Sequence, residues 1–131
     1  MGVPDCALVL MKAFETAEME TDPSRHVDLL TFVLVGGGPT GVELAGALAD
    51  MTRLTLKGDF RRIDPTAARI ILIEGSPRIL AGFSAAPCEK AHERLRRVGV
   101  EIRTGVHVEH VDDEGVVVKG ERIRSRSVIW T

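Results

Sequence analysis

Close pairs of cysteines are missing from this 131-residue chain, whose two cysteines are Cys6 and Cys88. Because no Cys-x-x-Cys or similar pair occurs, neither a redox dithiol nor a zinc site is indicated. Two ordinary thiols in a reducing compartment are the simpler interpretation. A site built on paired thiols is therefore not expected.

An excess of positive charge and a long apolar run are also missing. The formal net charge is −2 and the isoelectric point is about 6.1, which gives no support for nucleic-acid binding. No apolar run approaches the length of a membrane span, and the N-terminus does not resemble a signal peptide. With 44% hydrophobic and 27% charged residues, the composition indicates one globular domain, which we expect in the cytoplasm.

Hydrophobic periodicity predicts an alternation of helices and strands. Apolar residues recur with helical spacing over 5–20, and Pro23 is expected to interrupt the chain after that helix. Continuous β-branched runs at 31–35 and 68–74 predict strands buried on both faces, as in a parallel sheet covered by helices. Further helices are predicted over 39–54 and 88–98, and a third strand over 100–105.

The pattern changes after Gly105 to short strands separated by turns at 113–115 and 119–120. This part predicts a three-stranded antiparallel meander, after which 127–131 return as a buried strand. The fold class is therefore expected to be α/β: a Rossmann-like three-layer domain with a central parallel sheet, helices and a β-meander.

A glycine-rich turn joins the first strand to the next helix in FVLVGGGPTGVELAG, residues 32–46. Its spacing is Gly36-x-Gly38-x-x-Gly41, which in this context is typical of a dinucleotide-binding turn. Gly36 permits the tight turn, Gly38 lets the backbone approach a pyrophosphate, and Gly41 lets the helix lie close to the strand. The helix N-terminus can then hold the anion without a lysine, because its first amides are unpaired and its dipole is positive there.

Glu74, at the end of the second predicted strand, is the candidate acid for the ribose hydroxyls. It lies 38 residues beyond Gly36, where about 20 is usual, and we interpret the polar segment 55–67 as an insertion that accounts for the excess. A carboxylate there favours NAD(H) over NADP(H), whereas the nearby Arg78 could accept a 2′-phosphate. Glu43, in the first turn of the helix, is stabilised by the helix dipole and is within reach of a nicotinamide.

The stretch HVEHVDDE, residues 107–114, has the composition of a metal cluster. In a regular strand, however, His107 and His110 would point to opposite faces and could not chelate one ion. No metal site is therefore predicted.

Four motifs together resemble the nucleotide domain of type II NADH dehydrogenases, in the pyridine nucleotide-disulfide oxidoreductase superfamily. They are VGGGPTGVELAGALAD, DFRRIDP, ILIEGSPRIL and SVIWT. The resemblance covers nearly the whole chain, including the insertion. It implies a domain inserted within an FAD domain, where NADH passes hydride to FAD and the flavin reduces a quinone at the membrane surface.

The resemblance also implies roles for individual residues. No residue is implied as a catalytic acid or base, because hydride transfer depends on placement of the rings. Glu43 would lie near the nicotinamide, Glu74 at the adenosine ribose with Ser76 and Arg78 beside it, and Val106 and Val108 at the adenine. The residues expected to line the pyrophosphate are those of the glycine turn: Gly36, Gly37, Gly38, Pro39, Thr40 and Gly41.

Residues 1–29 are then expected to form an N-terminal helix and linker, and 30–131 the NAD(H)-binding domain of a larger FAD-dependent enzyme. The second glycine motif for FAD is absent from the chain, so we expect it to bind NADH without turnover. The longer protein would be a peripheral protein on the inner face of the cell membrane. A non-catalytic NADH-sensing module, and the nucleotide domain of a ferredoxin or rubredoxin reductase, remain as alternatives.

Overall fold

The computed structural model describes residues 6–55, 60–61 and 63–131. The helices are α1 (Cys6–Met19), α2 (Pro23–Leu29), α3 (Pro39–Asp50) and α4 (Ala85–Arg97), with a π-helical turn at Met51–Thr55 and a 3₁₀ turn at Pro65–Ala67. The strands are β1 (Thr31–Val35), β2 (Arg69–Glu74), β3 (Val100–Thr104), β4 (Val108–Asp112), β5 (Gly115–Val118), β6 (Glu121–Arg124) and β7 (Ser127–Trp130). No helix within these ranges is long and apolar enough to cross a membrane.

The central sheet has the order β3-β2-β1-β7, and every neighbouring pair in it is parallel. The carboxyl ends of its strands therefore meet at one edge, and Val35 lies in register with Ile73 on one side and Trp130 on the other. A separate antiparallel sheet of order β4-β5-β6 forms the predicted meander. The expected α/β fold with these two sheets is confirmed.

Two apolar cores lie on opposite faces of the parallel sheet. Phe32 and Leu34 of β1 belong to the core beneath the helices. Val33, which alternates with them, packs with Ile71 and Ile73 of β2 against the meander. Successive side chains of a strand point to opposite faces, so a strand covered on both sides reads as a continuous apolar run.

Two boundaries differ from the sequence-based expectation. Pro23 does interrupt the first helix, but it is also the first residue of α2, which occupies part of the predicted linker. The Asp22 side chain caps α2 by accepting from the Ser24 amide, and proline suits a first helical position. Helix α4 begins at Ala85 rather than at 88, because Pro87 lies in its first turn, where a missing amide costs no intrahelical bond.

Helix α1 shares the helix-side core with the sheet. Leu10, Phe14 and Ala17 are fully buried, as the helical spacing predicts. The Phe14 ring makes edge-to-face contacts with Phe32 and Phe60, at centroid distances of 6.1 and 5.6 Å. The division at residue 30 stays a prediction, but α1 and the strands bury their side chains together. The predicted start of this helix at residue 5 and part of the insertion lie outside the described residues.

Helix α1 also holds the polar connection that precedes β2. The Glu18 carboxylate accepts hydrogen bonds from the backbone amides of Arg61 (2.9 Å) and Ile63 (3.1 Å). With the ring contact of Phe60, these bonds fasten the end of the insertion to α1. The described residues at the end of the insertion therefore lie against the helix face of the domain.

Substitution of Phe14 by alanine is expected to lower the free energy of unfolding by about 3–5 kcal/mol, because it removes a buried ring with two aromatic partners. Chemical denaturation measures the change. Met19→Ala is the control on the same helix, since Met19 is 79% exposed. A Phe14→Ala variant as stable as the control would show that α1 does not contribute to the core.

Candidate functional site

The glycine turn adopts the close-packed geometry that its spacing predicts. Gly36 has a φ of +119°, in the region that favours glycine, and its amide donates to the Ile73 carbonyl at 2.8 Å. A Cβ on Gly41 would collide with the Gly36 carbonyl oxygen. Both glycines are therefore required for helix α3 to start directly against the end of β1.

Gly38, at the N-cap of α3, faces open space. A Cβ built on Gly38 would meet no atom of the described chain within 4 Å, and no described side chain caps the helix. The amide of Val42 bonds to the Gly38 carbonyl (3.0 Å), which leaves the preceding amides of Thr40 and Gly41 outside that ladder. The turn therefore leaves a space that a side chain would fill, beside the positive end of a helix dipole, where anions are stabilised in general.

Glu74 lies at the end of β2 and contacts the glycine turn directly. Its Oε1 accepts from the Gly37 amide and its Oε2 from the Ser76 amide, each at 2.7 Å. Burial acts to raise the pKa of Glu74, but the hydrogen bonds from Ser76 and Gly37 and the nearby His107 outweigh it. The pKa of Glu74 is therefore below its ordinary value, and the group is a carboxylate at neutral pH.

A cavity of about 490 Å³ opens at the carboxyl edge of the sheet, beside Glu74. The ring of His107 packs against Gly75 so closely that a Cβ there would collide with it. The amide of Val106 lies 3.3 Å from the Glu74 carbonyl, which joins the segment after β3 to the end of β2. The cavity is lined by Val35, Gly36, Ile73, Glu74, Gly75, Ser76, Val106, His107, Val108 and Trp130.

The structure brings most of the candidate residues together at this edge, although their roles in binding stay predictions. Gly36, Glu74, Ser76, Val106 and Val108 line the cavity, and Gly37 to Gly41 continue from it into α3.

Two of the candidate residues, Arg78 and Glu43, do not line this cavity. Arg78 is exposed and donates to the Phe83 carbonyl at 2.8 Å. The expectation that Glu43 lies in the first turn of α3 is wrong. The helix begins at Pro39, so Glu43 is its fifth residue. It lines a separate groove with Lys90 and Arg94 of α4.

Three residues of this edge were not predicted from the sequence to belong to the nucleotide site. His107 and Trp130 line the cavity, and the Thr131 Oγ1 lies 2.8 Å from the Gly36 carbonyl oxygen and 3.0 Å from that of Val35. The pairing of β7 with β1 places Trp130 and Thr131 beside the glycine turn. The sequence predicts the strand at 127–131 but not that β1 is its neighbour in the sheet. The position of Trp130 and Thr131 beside the glycine turn could therefore not be predicted.

The two histidines considered as metal ligands are separated. His107 precedes β4 and lies against Gly75, whereas His110 contacts Asp112 at 3.2 Å beyond a bulge in that strand. Within the described part of the chain, no cluster of three or more His, Cys, Asp or Glu residues could hold a metal ion.

A parallel sheet whose first strand passes through a glycine turn into an open helix N-terminus, with an acid at the end of the next strand, is the Rossmann-like arrangement on which dinucleotide-binding domains are built. The class can be narrowed by comparison with known proteins. The chain belongs to the pyridine nucleotide-disulphide oxidoreductase family, whose model matches residues 8–131.

Relatives within this family confirm the predicted resemblance to type II NADH dehydrogenases. The chain is 45% identical over 127 residues to the type II NADH:quinone oxidoreductase Ndh of Mycobacterium tuberculosis, covering 93% of the chain and 27% of that protein. It is 39% identical over 126 residues to NdhA of the same organism, covering 92% and 27%. The chain thus spans about a quarter of the length of these relatives.

A solved structure shows the same fold at lower identity. NDH2 from Plasmodium falciparum in complex with NADH superposes with a TM-score of 0.85 at 21% identity, over 94% of this chain and 26% of that one. At this identity the likeness establishes the arrangement of helices and strands.

Stability should depend on pH through Glu74. Because its folded pKa lies below the ordinary value of 4.5, its carboxylate stabilises the fold above that pH, and this contribution is lost as the pH falls through the folded pKa. Thermal unfolding of the chain and of Glu74→Gln should therefore differ at pH 7 and converge in acid. Glu43→Gln is the control, because the Glu43 side chain is exposed and does not line the cavity. A difference for Glu74→Gln that persists unchanged in acid would contradict the assignment.

Proposed function

We propose that this chain is the NADH-binding domain of a flavin-dependent NADH:quinone oxidoreductase. The observation that carries the proposal is the glycine turn, which opens at the N-cap of α3 onto the same sheet edge as the Glu74 carboxylate. Its 45% identity to a type II NADH:quinone oxidoreductase supports the choice of enzyme.

The residues present fit NADH in kind and position. The amides around Gly38 would hold the pyrophosphate at the helix N-terminus, and Glu74 with Ser76 would hold the adenosine ribose. Val106 and Val108 supply apolar surface for the adenine. When bound, the reduced nicotinamide supplies a hydride, and the domain contributes binding and orientation rather than proton transfer.

The other activities belong to the longer protein. FAD as hydride acceptor, a quinone as final oxidant and attachment to the inner face of the cell membrane are part of this proposal. The use of a quinone is supported by two relatives that are type II NADH:quinone oxidoreductases, and the roles of FAD and of the membrane surface are what the family resemblance implies. By itself, the chain described here is expected to bind NADH without oxidising it, because it would lack the acceptor.

The test is a titration of the chain with NADH, followed by the fluorescence of Trp130. Trp130 is the single tryptophan and lines the cavity, so energy transfer to the reduced nicotinamide should quench it. Gly38→Val should abolish the quenching and leave the fold intact, because the added side chain enters the space proposed for the pyrophosphate and meets no described atom at its Cβ.

Gly82→Val is the matched control, since a Cβ at Gly82 also meets nothing within 4 Å among the described residues and Gly82 does not line the cavity. It should bind NADH as the unchanged chain does. Normal NADH binding by Gly38→Val would contradict the proposal that the pyrophosphate lies beside Gly38. No binding by the unchanged chain would remove the proposed function.

Selectivity between NADH and NADPH should depend on Glu74. Replacing it by alanine removes an acceptor for the 2′-hydroxyl and a charge that repels a 2′-phosphate. We expect the ratio of NADH to NADPH affinity to fall by about tenfold, the equivalent of one hydrogen bond to a charged group. Parallel titrations with the two nucleotides measure the ratio, and an equal loss for both would exclude a role at the 2′ position.

A further inference from the structure

The peptide unit between Gly36 and Gly37 is held at both ends by side chains. Its N–H, on Gly37, donates to Glu74 Oε1 at 2.7 Å. Its carbonyl, on Gly36, accepts from the Thr131 hydroxyl at 2.8 Å, and this hydroxyl is also 3.0 Å from the Val35 carbonyl oxygen. Because a trans peptide points these two groups in opposite directions, the two bonds together fix the plane of the unit.

The next peptide unit is held at its carbonyl end. The Gly37 carbonyl accepts from the Leu80 amide at 2.7 Å. Planarity then directs the N–H of Gly38 away from Leu80. The orientation of the Gly38 amide, at the open end of the turn, therefore depends on hydrogen bonds made by the residues that precede it in the turn.

Packing also leaves Gly37 little freedom to move. A Cβ at this position would lie 3.0 Å from the Glu74 Cβ and 3.0 Å from the Ile79 Cγ2, and Ile79 is fully buried. The second oxygen of Glu74 is fixed in turn by the Ser76 amide. The carboxylate is thus immobilised on β2 and can act as a rigid support.

We propose that Glu74 is a positioning residue for the phosphate-binding turn in addition to its proposed contact with the ribose, and that Thr131 is its counterpart on the other end of the Gly36–Gly37 peptide. The two side chains fix the Gly36–Gly37 peptide. Together with the bond from Leu80 to the Gly37 carbonyl, they set the direction in which the Gly38 amide meets the dinucleotide phosphates. This inference rests on the proposed function as a nucleotide site. It differs from ribose recognition because its effect reaches a ligand that has no ribose hydroxyls.

The experiment compares the chain with Glu74→Gln and Thr131→Val. The Gly37 and Ser76 amides bond to different oxygens of Glu74, and glutamine replaces one of these oxygens by an NH2 group that cannot accept a hydrogen bond. Valine keeps the shape of threonine without its hydroxyl. Two quantities are measured: hydrogen exchange of the Gly37 amide by NMR in the ligand-free chain, and affinity for NADH and for its 2′,3′-dideoxyadenosine analogue.

We expect Glu74→Gln to accelerate exchange of the Gly37 amide and to weaken the dideoxy analogue about tenfold, the effect of one charge-assisted hydrogen bond. Thr131→Val should weaken NADH and the analogue by the same factor, because Thr131 acts on the turn and not on the ribose. If Glu74→Gln does not fold, the affinities of Thr131→Val alone test whether the side chains that hold the turn affect dinucleotide binding. Glu101→Gln is the control, because Glu101 likewise binds through both oxygens, to Arg69, and does not line the cavity.

The inference is overturned if Glu74→Gln leaves Gly37 exchange unchanged, or if it weakens NADH and spares the dideoxy analogue, since Glu74 would then act only on the ribose. It is also overturned if Thr131→Val binds both ligands normally. If the unchanged chain binds no dinucleotide, the proposed function fails, and the exchange of Gly37 still shows whether Glu74 holds the turn.

Discussion

The two hydrogen bonds that the Glu74 carboxylate accepts from the backbone are the interaction on which the site depends. Register between β1 and β2 places the end of β2 beside the glycine turn, so the carboxylate reaches Gly37 on one side and Ser76 on the other. Bonds to an ionised acceptor are roughly twice as strong as neutral ones. They join the turn, the end of β2 and the loop after it into one unit.

This arrangement is possible because the sheet is fixed from both faces. The helices cover one side through the core that contains Phe14 and Leu48, and the meander covers the other. The meander is fastened to α2 by a bidentate pair in which Arg124 donates to Asp28 at 2.9 and 2.8 Å, and to β1 by the Ser125 hydroxyl, which donates to the Thr31 carbonyl at 2.6 Å. These bonds lie at the amino end of β1 and hold the meander on the sheet, so that both faces of the sheet stay covered.

Local sequence patterns predicted most of the helices and strands, but they did not predict which strands are neighbours in the sheet. The strand at Thr31–Val35 was predicted to the residue, because a doubly covered strand has an unbroken apolar run and a glycine ends it. Glu74 was found despite unusual spacing, because its place at the end of a buried strand does not depend on the length of the insertion. Helix α2 was missed although Asp22 and Pro23 form an N-cap and first-turn pair, since proline was interpreted only as an interruption.

Thr131 and the reach of Glu74 to Gly37 could not be read from the sequence for another reason. Each depends on which strands are neighbours and in what register, and the partners are separated by 95 and 37 positions. The error for Glu43 was a local one. Because α3 begins at Pro39, Glu43 lies one residue beyond the first turn, on the side facing α4.

Immobilisation of Glu74 also bears on the choice between the two nicotinamide nucleotides. A flexible glutamate can rotate away from a 2′-phosphate at the cost of its own hydrogen bonds to water. Here the carboxylate would have to abandon the amides of Gly37 and Ser76, and its low pKa keeps it charged at neutral pH. A 2′-phosphate would then meet a fixed negative charge in a partly buried site, where screening by solvent is weak. Discrimination against NADPH would therefore arise from the same bonds that hold the phosphate turn in place.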